Sequence, residues 1–564
     1  MEIKPDTPNN GSRPTEVFVK EITFNDGHTF EFDHSDIIVF TGANNAGKSQ
    51  VLREIKTFFE DQKRPRLITN VINAEYIGDV SYLKEKSVYR INSYWLEDIQ
   101  FGNINNLDHF WTNHQLSSIS RYFINHLSTE ERLQTANPPQ SFNVLEQDPT
   151  HPIQKLYVDD TKEVELSALF HKAFNANIIV NRGAGSNIPI HVGIKPEILQ
   201  GEDRVSFSYL TRLKELPQLQ NQGDGMRSFA GILLNVFTSH HTITLIDEPE
   251  AFLHPPQARL LGKMLAKNTP NNRQLFLSTH SEDFLKGLLD ADNENVKIIR
   301  IDREENINHM SILKNDEIKQ FWKDPILRYS NILSGLFHSK VVICEGDTDC
   351  RFYQAIMNAL HDGEDEISPD ILFTHCGGKQ RLKTVIAALK ALKVKVVAVT
   401  DIDVLNNKNT FKDLVTSLEI DWNTLDRKWN IINDYVKNQR AQLDTADVKD
   451  AISKLLNDVE DDQFPQDVAA QIKKTLKSST AWSKIKEVGK TFFTGDAYTA
   501  FVEIDKICKL NGLFIVPVGE LEFFYRPDSN HGTKWVNNVL ENVDLKNESE
   551  LRSAREFIKE IIDF

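Results

Sequence analysis

The chain has 564 residues, 40% hydrophobic and 26% charged, an ordinary globular composition that excludes collagen-like, mucin-like and wholly disordered classes. Lys and Arg number 65 against 81 Asp and Glu, and the net charge of −16 excludes a protein that coats nucleic acid by bulk charge, though not one with a local basic face. No run approaches the roughly 20 apolar residues of a membrane span, and MEIKPDTPNNGSRPTE lacks an apolar signal core, so a cytoplasmic location without membrane attachment or secretory export is expected. The four cysteines (Cys344, Cys350, Cys376, Cys508) fit neither a disulfide framework nor a zinc spacing.

In chain order, residues 1–14 are polar and Pro-rich and read as a disordered tail. EVFVKEITFNDGHTFEF alternates around Asn25-Asp26-Gly27 and predicts a β-hairpin. An apolar strand, Ile37 to Phe40, then leads through a Gly-rich turn into a helix from about Ser49 to Glu60. Weak periodicity over about 70–155 predicts an insertion, expected to be helical. Helix and strand signals alternate again to about 300, ending in buried strands over Thr242–Ile246 and Leu275–Ser278. A first α/β unit over 15–301 is therefore expected, followed by a polar helical linker over 302–338. A second α/β unit, 339–564, is predicted from strands at Val341–Cys344, Ile371–Thr374, Val394–Thr400 and Leu513–Val518. A charged helical block over about 404–500 interrupts it.

The first chemical motif is GANNAGKS, which fits G-x-x-x-x-G-K-[ST]. Gly42, Asn44, Asn45, Ala46 and Gly47 turn backbone N–H groups toward phosphates, Lys48 brings a point charge, and the Ser49 hydroxyl is a Mg²⁺ ligand. TITLIDEPE places Asp247 and Glu248 at the end of a buried strand, Asp247 for the metal and Glu248 to polarise a water. His280, one strand later in LFLSTHSEDF, stands where a γ-phosphate sensor would sit. Ser228 and the glycines of QGDGMRSFAG offer further donors to phosphate.

The order GANNAGKS, QGDGMRS, LIDEPE-x-x-LHP and STHS resembles the ABC-type ATPases of recombination and repair. The resemblance implies ATP sandwiched between two heads, with Ser228 serving the partner's nucleotide, and hence a homodimer or higher homo-oligomer. QGDGMRS departs from the family's LSGGQ, and His254 stands where a D-loop Asp is common.

The second motif set is acidic. Glu345 follows a buried strand in VVICEGDTDCRFY, with Asp349 close behind. Asp401 and Asp403 end a second strand in VTDIDV, and Glu520 and Glu522 a third in PVGELEF. Carboxylates at the carboxyl ends of several strands fall where α/β sheets place active sites, and hard oxygen ligands suit Mg²⁺ or Mn²⁺ in a two-metal phosphodiester site. EGDTD and DID resemble a Toprim domain. An ABC-type ATPase followed by a Toprim domain resembles the OLD (overcoming lysogenization defect) nucleases, which include the Gabija antiphage nucleases. EGDTDCRFY is also similar to the Toprim effectors of PARIS antiphage systems. This resemblance implies that Glu520, Glu522 and Lys534 complete the site.

Residues 377–395 carry six basic residues and no acid, and 471–490 carry six Lys and one Glu; each is either a backbone-phosphate contact or a solvated helix face. The reading is thus an ATP-hydrolysing, metal-dependent nuclease acting on DNA in antiphage defence, with or without a companion defence protein. Two alternatives stand beside it: a Toprim nuclease that cleaves RNA such as tRNA and arrests growth, and a sensor ATPase whose Toprim domain is inactive.

Overall fold

A computed structural model describes residues 13–90, 92–313, 332–363, 367–439, 445–457, 459, 464–477 and 481–564. Most of the expected N-terminal tail and the middle of the expected linker lie outside these residues. The chain divides into two compact units, Met1–Arg328 and Tyr329–Phe564.

The first unit is built on a six-stranded sheet. Its strands run, in spatial order, Ile307–Leu313, Val296–Glu304, Ile37–Gly42, Gln274–Ser278, Ile243–Asp247 and Ile124–Leu127. All neighbours are parallel except the first pair. The central strands are apolar on both faces, as a sheet covered on both sides demands. Helix Lys48–Glu60 follows the strand Ile37–Gly42 and buries Val51, Leu52, Ile55, Phe58 and Phe59, one stripe at helical spacing. The predicted hairpin forms: Glu16–Phe24 pairs antiparallel with Thr29–Glu31, and a third strand, Thr69–Ile77, joins on the other side.

Two stretches differ from the sequence reading. The insertion over about 70–155 is mixed rather than helical. It holds a three-stranded sheet (Val88–Arg90, Ser93–Leu96, Ile99–Phe101), and its strand Ile124–Leu127 closes the edge of the main sheet. Short strands of three or four residues carry too little alternation to show against a polar background. Residues 302–313, read as the start of a helical linker, instead complete the antiparallel edge of that sheet.

The second unit contains a four-stranded parallel sheet in the order Ile371–His375, Lys340–Cys344, Lys395–Thr400, Leu513–Ile515. From Lys340–Cys344 the chain crosses outward through helix Asp347–Leu360 to Ile371–His375. It then returns through helix Leu382–Ala391 to the other flank of the first strand. Right-handed crossovers in opposite directions cover opposite faces, so the order reverses between Lys340–Cys344 and Lys395–Thr400 and a crevice opens at their carboxyl ends. Val342, Cys344, Val397 and Val399 pack into one core with Phe352, Trp535 and Phe557. Residues 404–500 are helical where described, as expected, with Lys408–Ser417, Asp426–Asn438, Thr445–Asn457, Gln466–Lys477 and Ala481–Val488 preceding Gly495–Leu510. No helix among the described residues is long and apolar enough to cross a membrane.

Candidate functional site

In the first unit the loop Gly42–Ser49 connects the central strand to its helix. Gly42 has φ +140°, and a Cβ there would lie 2.1 Å from the Ile301 carbonyl oxygen, so only glycine lets the loop leave beside the neighbouring strand. Asn45 (φ 61°) and Gly47 (φ 105°) supply the left-handed turns that aim successive N–H groups inward. The Lys48 side chain folds back over the loop, donating from Nζ to the Gly42 and Ala43 carbonyls at 2.9 and 2.8 Å. Asn308 braces the loop from the edge hairpin, donating to the Ala46 carbonyl at 2.6 Å and pairing with Asn25.

Asp247 ends the neighbouring acidic strand, where its Oδ1 accepts from Ser49 Oγ at 2.8 Å and from Ser278 Oγ. A hydroxyl and a carboxylate so joined are a fitting pair for Mg²⁺ beside a nucleotide. Glu248 adopts φ 47°, a strained position for a side-chain-bearing residue, with its N–H held by the Ser278 carbonyl at 3.0 Å. His280 Nε2 lies 3.5 Å from its carboxylate. Burial and the Lys48 charge lower the His280 pKa, so the neutral ring meets Glu248 as a hydrogen-bonding group rather than a cation.

Two residues here had no sequence signal. Arg132, fully buried, donates to the Asp247 carbonyl at 2.6 Å, and burial lowers its pKa to about 10. Glu250 accepts from Thr279 Oγ1 at 2.9 Å and from the His280 N–H at 2.8 Å, fixing the turn that presents His280. Ser228 requires a correction. It lies one turn inside helix Asp224–Thr238, fully buried, and its hydroxyl cannot face a nucleotide. The exposed start of that helix is Gly223 and Asp224.

In the second unit the crevice gathers Glu345, Asp401 and Asp403, whose carboxylate oxygens lie within 4.8 Å of one another. The Asp401 N–H donates to Glu345 Oε1 at 3.2 Å. Burial first, and the Asp403 charge second, raise the Glu345 pKa to about 7. Asp401 is pushed well above the usual carboxylate range by burial and by Glu345. Asp349, accepting from the Gly346 N–H at 2.9 Å, is also raised by burial. Asp403 Oδ1 is buried with no hydrogen-bond partner among the described residues. Clustered, desolvated carboxylates with an unsatisfied oxygen are the donor set a divalent cation requires, so the residues fit such an ion.

Glu520 and Glu522 form a second group with His531, again within 4.8 Å. Glu522 also accepts from the Gly532 N–H at 2.8 Å. Lys534 is exposed in the first turn of helix Thr533–Asn542, and no contact ties it to the carboxylates. Two other lysines enter the site instead. Lys379 Nζ lies 2.9 Å from Asp403, and Lys486 Nζ lies 2.8 Å from Glu520 and 3.8 Å from Asp403. Burial opposes the Lys486 charge, but the hydrogen bond to Glu520 and the Asp403 charge outweigh it and raise its pKa. Both lie in the basic stretches noted above, where their neighbours Lys383 and Lys390 pair locally with Asp413 and Glu419. Spacing alone could not tell an inward lysine from a solvated one.

Comparison with known proteins agrees with both units. Residues 195–285 match the family "AAA domain, putative AbiEii toxin, Type IV TA system". Residues 336–403 match "Overcoming lysogenization defect protein-like, TOPRIM domain". The Old nuclease of Escherichia phage P2 is 25% identical over 186 residues, 31% of this chain and 30% of the relative. The OLD nuclease of Thermus scotoductus is 28% identical over 174 residues, 28% of this chain and 30% of the relative. The chain thus spans about 30% of the length of the curated relatives it matches. Among solved structures, an Smc head bound to the C-winged helix domain of ScpA aligns with 53% of this chain and 99% of its own, at 11% identity and a TM-score of 0.33. The Thermotoga maritima SMC head aligns with 52% and 98%, at 12% identity and a TM-score of 0.29. With a P-loop ATPase unit followed by an OLD-like Toprim domain, the chain has the make-up of an OLD-family ATPase/Toprim protein.

Proposed function

We propose that this protein is an ATP-hydrolysing, Mg²⁺- or Mn²⁺-dependent nuclease that cleaves DNA, acting in the cytoplasm against invading phage or plasmid DNA. The observation that carries the reading is the carboxylate cluster at the point where the strand order reverses, with Glu345 and Asp401 on adjacent strand ends and the buried Asp403 oxygen unsatisfied.

Glu345, Asp401 and Asp403 would hold one divalent ion, with Asp349, Glu520 and Glu522 available to a second. Such ions supply positive charge to a phosphodiester as negative charge builds on its oxygens. The protein's own part is to cluster and desolvate these acids, so that their charges call for a bound cation. Lys379 and Lys486 meanwhile neutralise the cluster. Of the lysines near the site, these two take the basic role expected of Lys534, because each is within ion-pair reach of a carboxylate. In the ATPase unit, Gly42–Ser49 and Asp247 would bind MgATP, and Glu248 with His280 would orient the attacking water. Two heads would meet through the start of helix Asp224–Thr238.

Incubating the protein with supercoiled plasmid, linear duplex and total tRNA in Mg²⁺ or Mn²⁺ tests the substrate. Cleavage of either DNA is expected. Cleavage of tRNA alone would replace this reading with an RNA-directed effector, and no cleavage of any substrate would favour a sensor ATPase.

A further inference from the structure

A cavity of about 470 Å³ lies in the ATPase unit, apart from the P-loop. Trp95, Glu97, Tyr122 and His240 line it, with Lys155 from helix Pro152–Val158. Several of these groups are fixed in place. Trp95 donates from its ring nitrogen to the Arg90 carbonyl at 3.1 Å, with the Arg90 guanidinium 4.7 Å from its ring centre. Tyr122 and His240 have ring centroids 4.5 Å apart, and His240 Nδ1 lies 3.4 Å from Glu97. Glu97 itself is held at φ 52°.

Lys155 is different. Although half-buried, its ammonium meets no hydrogen-bond acceptor and no carboxylate within ion-pair distance among the described residues. The neighbouring cations are occupied: Lys162 by Asp159 at 3.8 Å and Lys86 by the Tyr82 ring at 5.7 Å. A half-buried ammonium costs free energy unless an anion meets it. Burial lowers the Lys155 pKa and raises that of Glu97, and the attraction between the two charges only partly offsets it. His240 is neutral, its pKa lowered to about 4 by burial and by Lys155.

We infer that this cavity is a nucleoside-phosphate site, with Lys155 receiving the phosphate, Trp95 and Tyr122 bounding the base and Glu97 accepting from its amino or ribose hydroxyl groups. The volume falls in the range of sites for small ligands. Its aromatic and basic lining favours a planar heterocycle with one anionic group over an acidic peptide side chain, which would leave the rings unused. Rim acids Glu146 and Asp148 are exposed and disfavour a ligand whose charge stays at the mouth.

The site touches the ATPase framework at two places. Tyr122 leads directly into the edge strand Ile124–Leu127, which pairs with the strand carrying Asp247. Thr238 and His240 lie at the end of helix Asp224–Thr238. The inference does not depend on the nuclease reading. The same chemistry could arrive as a free mononucleotide or as the 5′-phosphorylated end of a strand.

The test is calorimetric titration of the full chain carrying Lys48→Ala, which weakens P-loop binding, with AMP, GMP, CMP and UMP and with a 5′-phosphorylated pentadeoxynucleotide. At least one is expected to bind, with the Kd raised tenfold or more by Lys155→Met and by Trp95→Ala and largely recovered by Lys155→Arg. The thermal midpoint of each ligand-free variant shows that it folds. Binding of a mononucleotide alone identifies the free-nucleotide source, and preference for the pentanucleotide identifies a strand end. No binding of any probe at millimolar concentration, or binding that survives both Lys155→Met and Trp95→Ala, overturns the inference.

Discussion

Glu345 shows how a single side chain reports on its setting. An acid whose pKa is raised to about 7 in the folded chain, against the usual 4.5, favours the folded state while protonated. That contribution is fully present below pH 4.5 and is lost as pH rises through 7, at most about 3 kcal/mol for a shift of this size. In chelator, the thermal midpoint should therefore fall between pH 5 and 8, and Glu345→Gln should flatten the fall. Mn²⁺ should restore stability most at the higher pH, and a wild-type midpoint indifferent to both pH and Mn²⁺ would show that these acids face ordinary solvent. Lys486 is the counterpart. Its ammonium repels a dication held by the same carboxylates, and about 1.4 kcal/mol of such repulsion is a factor of about ten in affinity. Lys486→Met should accordingly bind Mn²⁺ about tenfold more tightly by titration calorimetry while cutting more slowly. At the P-loop, Lys48→Ala should weaken ATP by roughly 10- to 100-fold in the same measurement, the range for losing one charged hydrogen-bonding group.

At the scale of elements, the sequence exposed those parts whose chemistry is local. GANNAGKS carries its own turn geometry, and four apolar runs, three of them followed by acids, announce a parallel sheet with its carboxylates at one end. What stayed hidden depends on partners distant in sequence. Arg132 reaches Asp247 because helix Thr129–Thr135 lies against helix Asp224–Thr238, where a Cβ on Gly231 would sit 2.2 Å from the Arg132 carbonyl oxygen. Neither residue reads as functional alone. Asn308 was similarly hidden, since the strand bearing it has a polar, half-exposed pattern that resembles a linker. Ser228 misled because a serine near two glycines suits a phosphate loop, whereas the helix begins earlier and turns that serine inward. Gly231→Ala should therefore destabilise the protein by about 1–3 kcal/mol in denaturant melts and slow ATP hydrolysis. Unchanged stability would show that the two helices yield without cost.

For the whole molecule, the central claim is that two separate chemistries share one chain. In the proposed pairing, two heads would gain phosphate contacts only when ATP is bound, and a ligand shifts an equilibrium only by its differential affinity for the two states. Glu248→Gln, retaining ATP but hydrolysing it slowly, should thus change the cleavage rate by tenfold or more, equivalent to about 1.4 kcal/mol of coupling. Equal rates for this variant and wild type with ATP, with ADP and without nucleotide would remove the coupling while leaving both sites intact. The most direct measurement is a parallel assay of DNA cleavage and ATP hydrolysis on Glu345→Ala and Asp401→Ala. Removing either ligand should abolish cutting in Mg²⁺ and Mn²⁺ and leave ATPase activity close to wild type; both variants cutting DNA at the wild-type rate would contradict the assignment of the nuclease site.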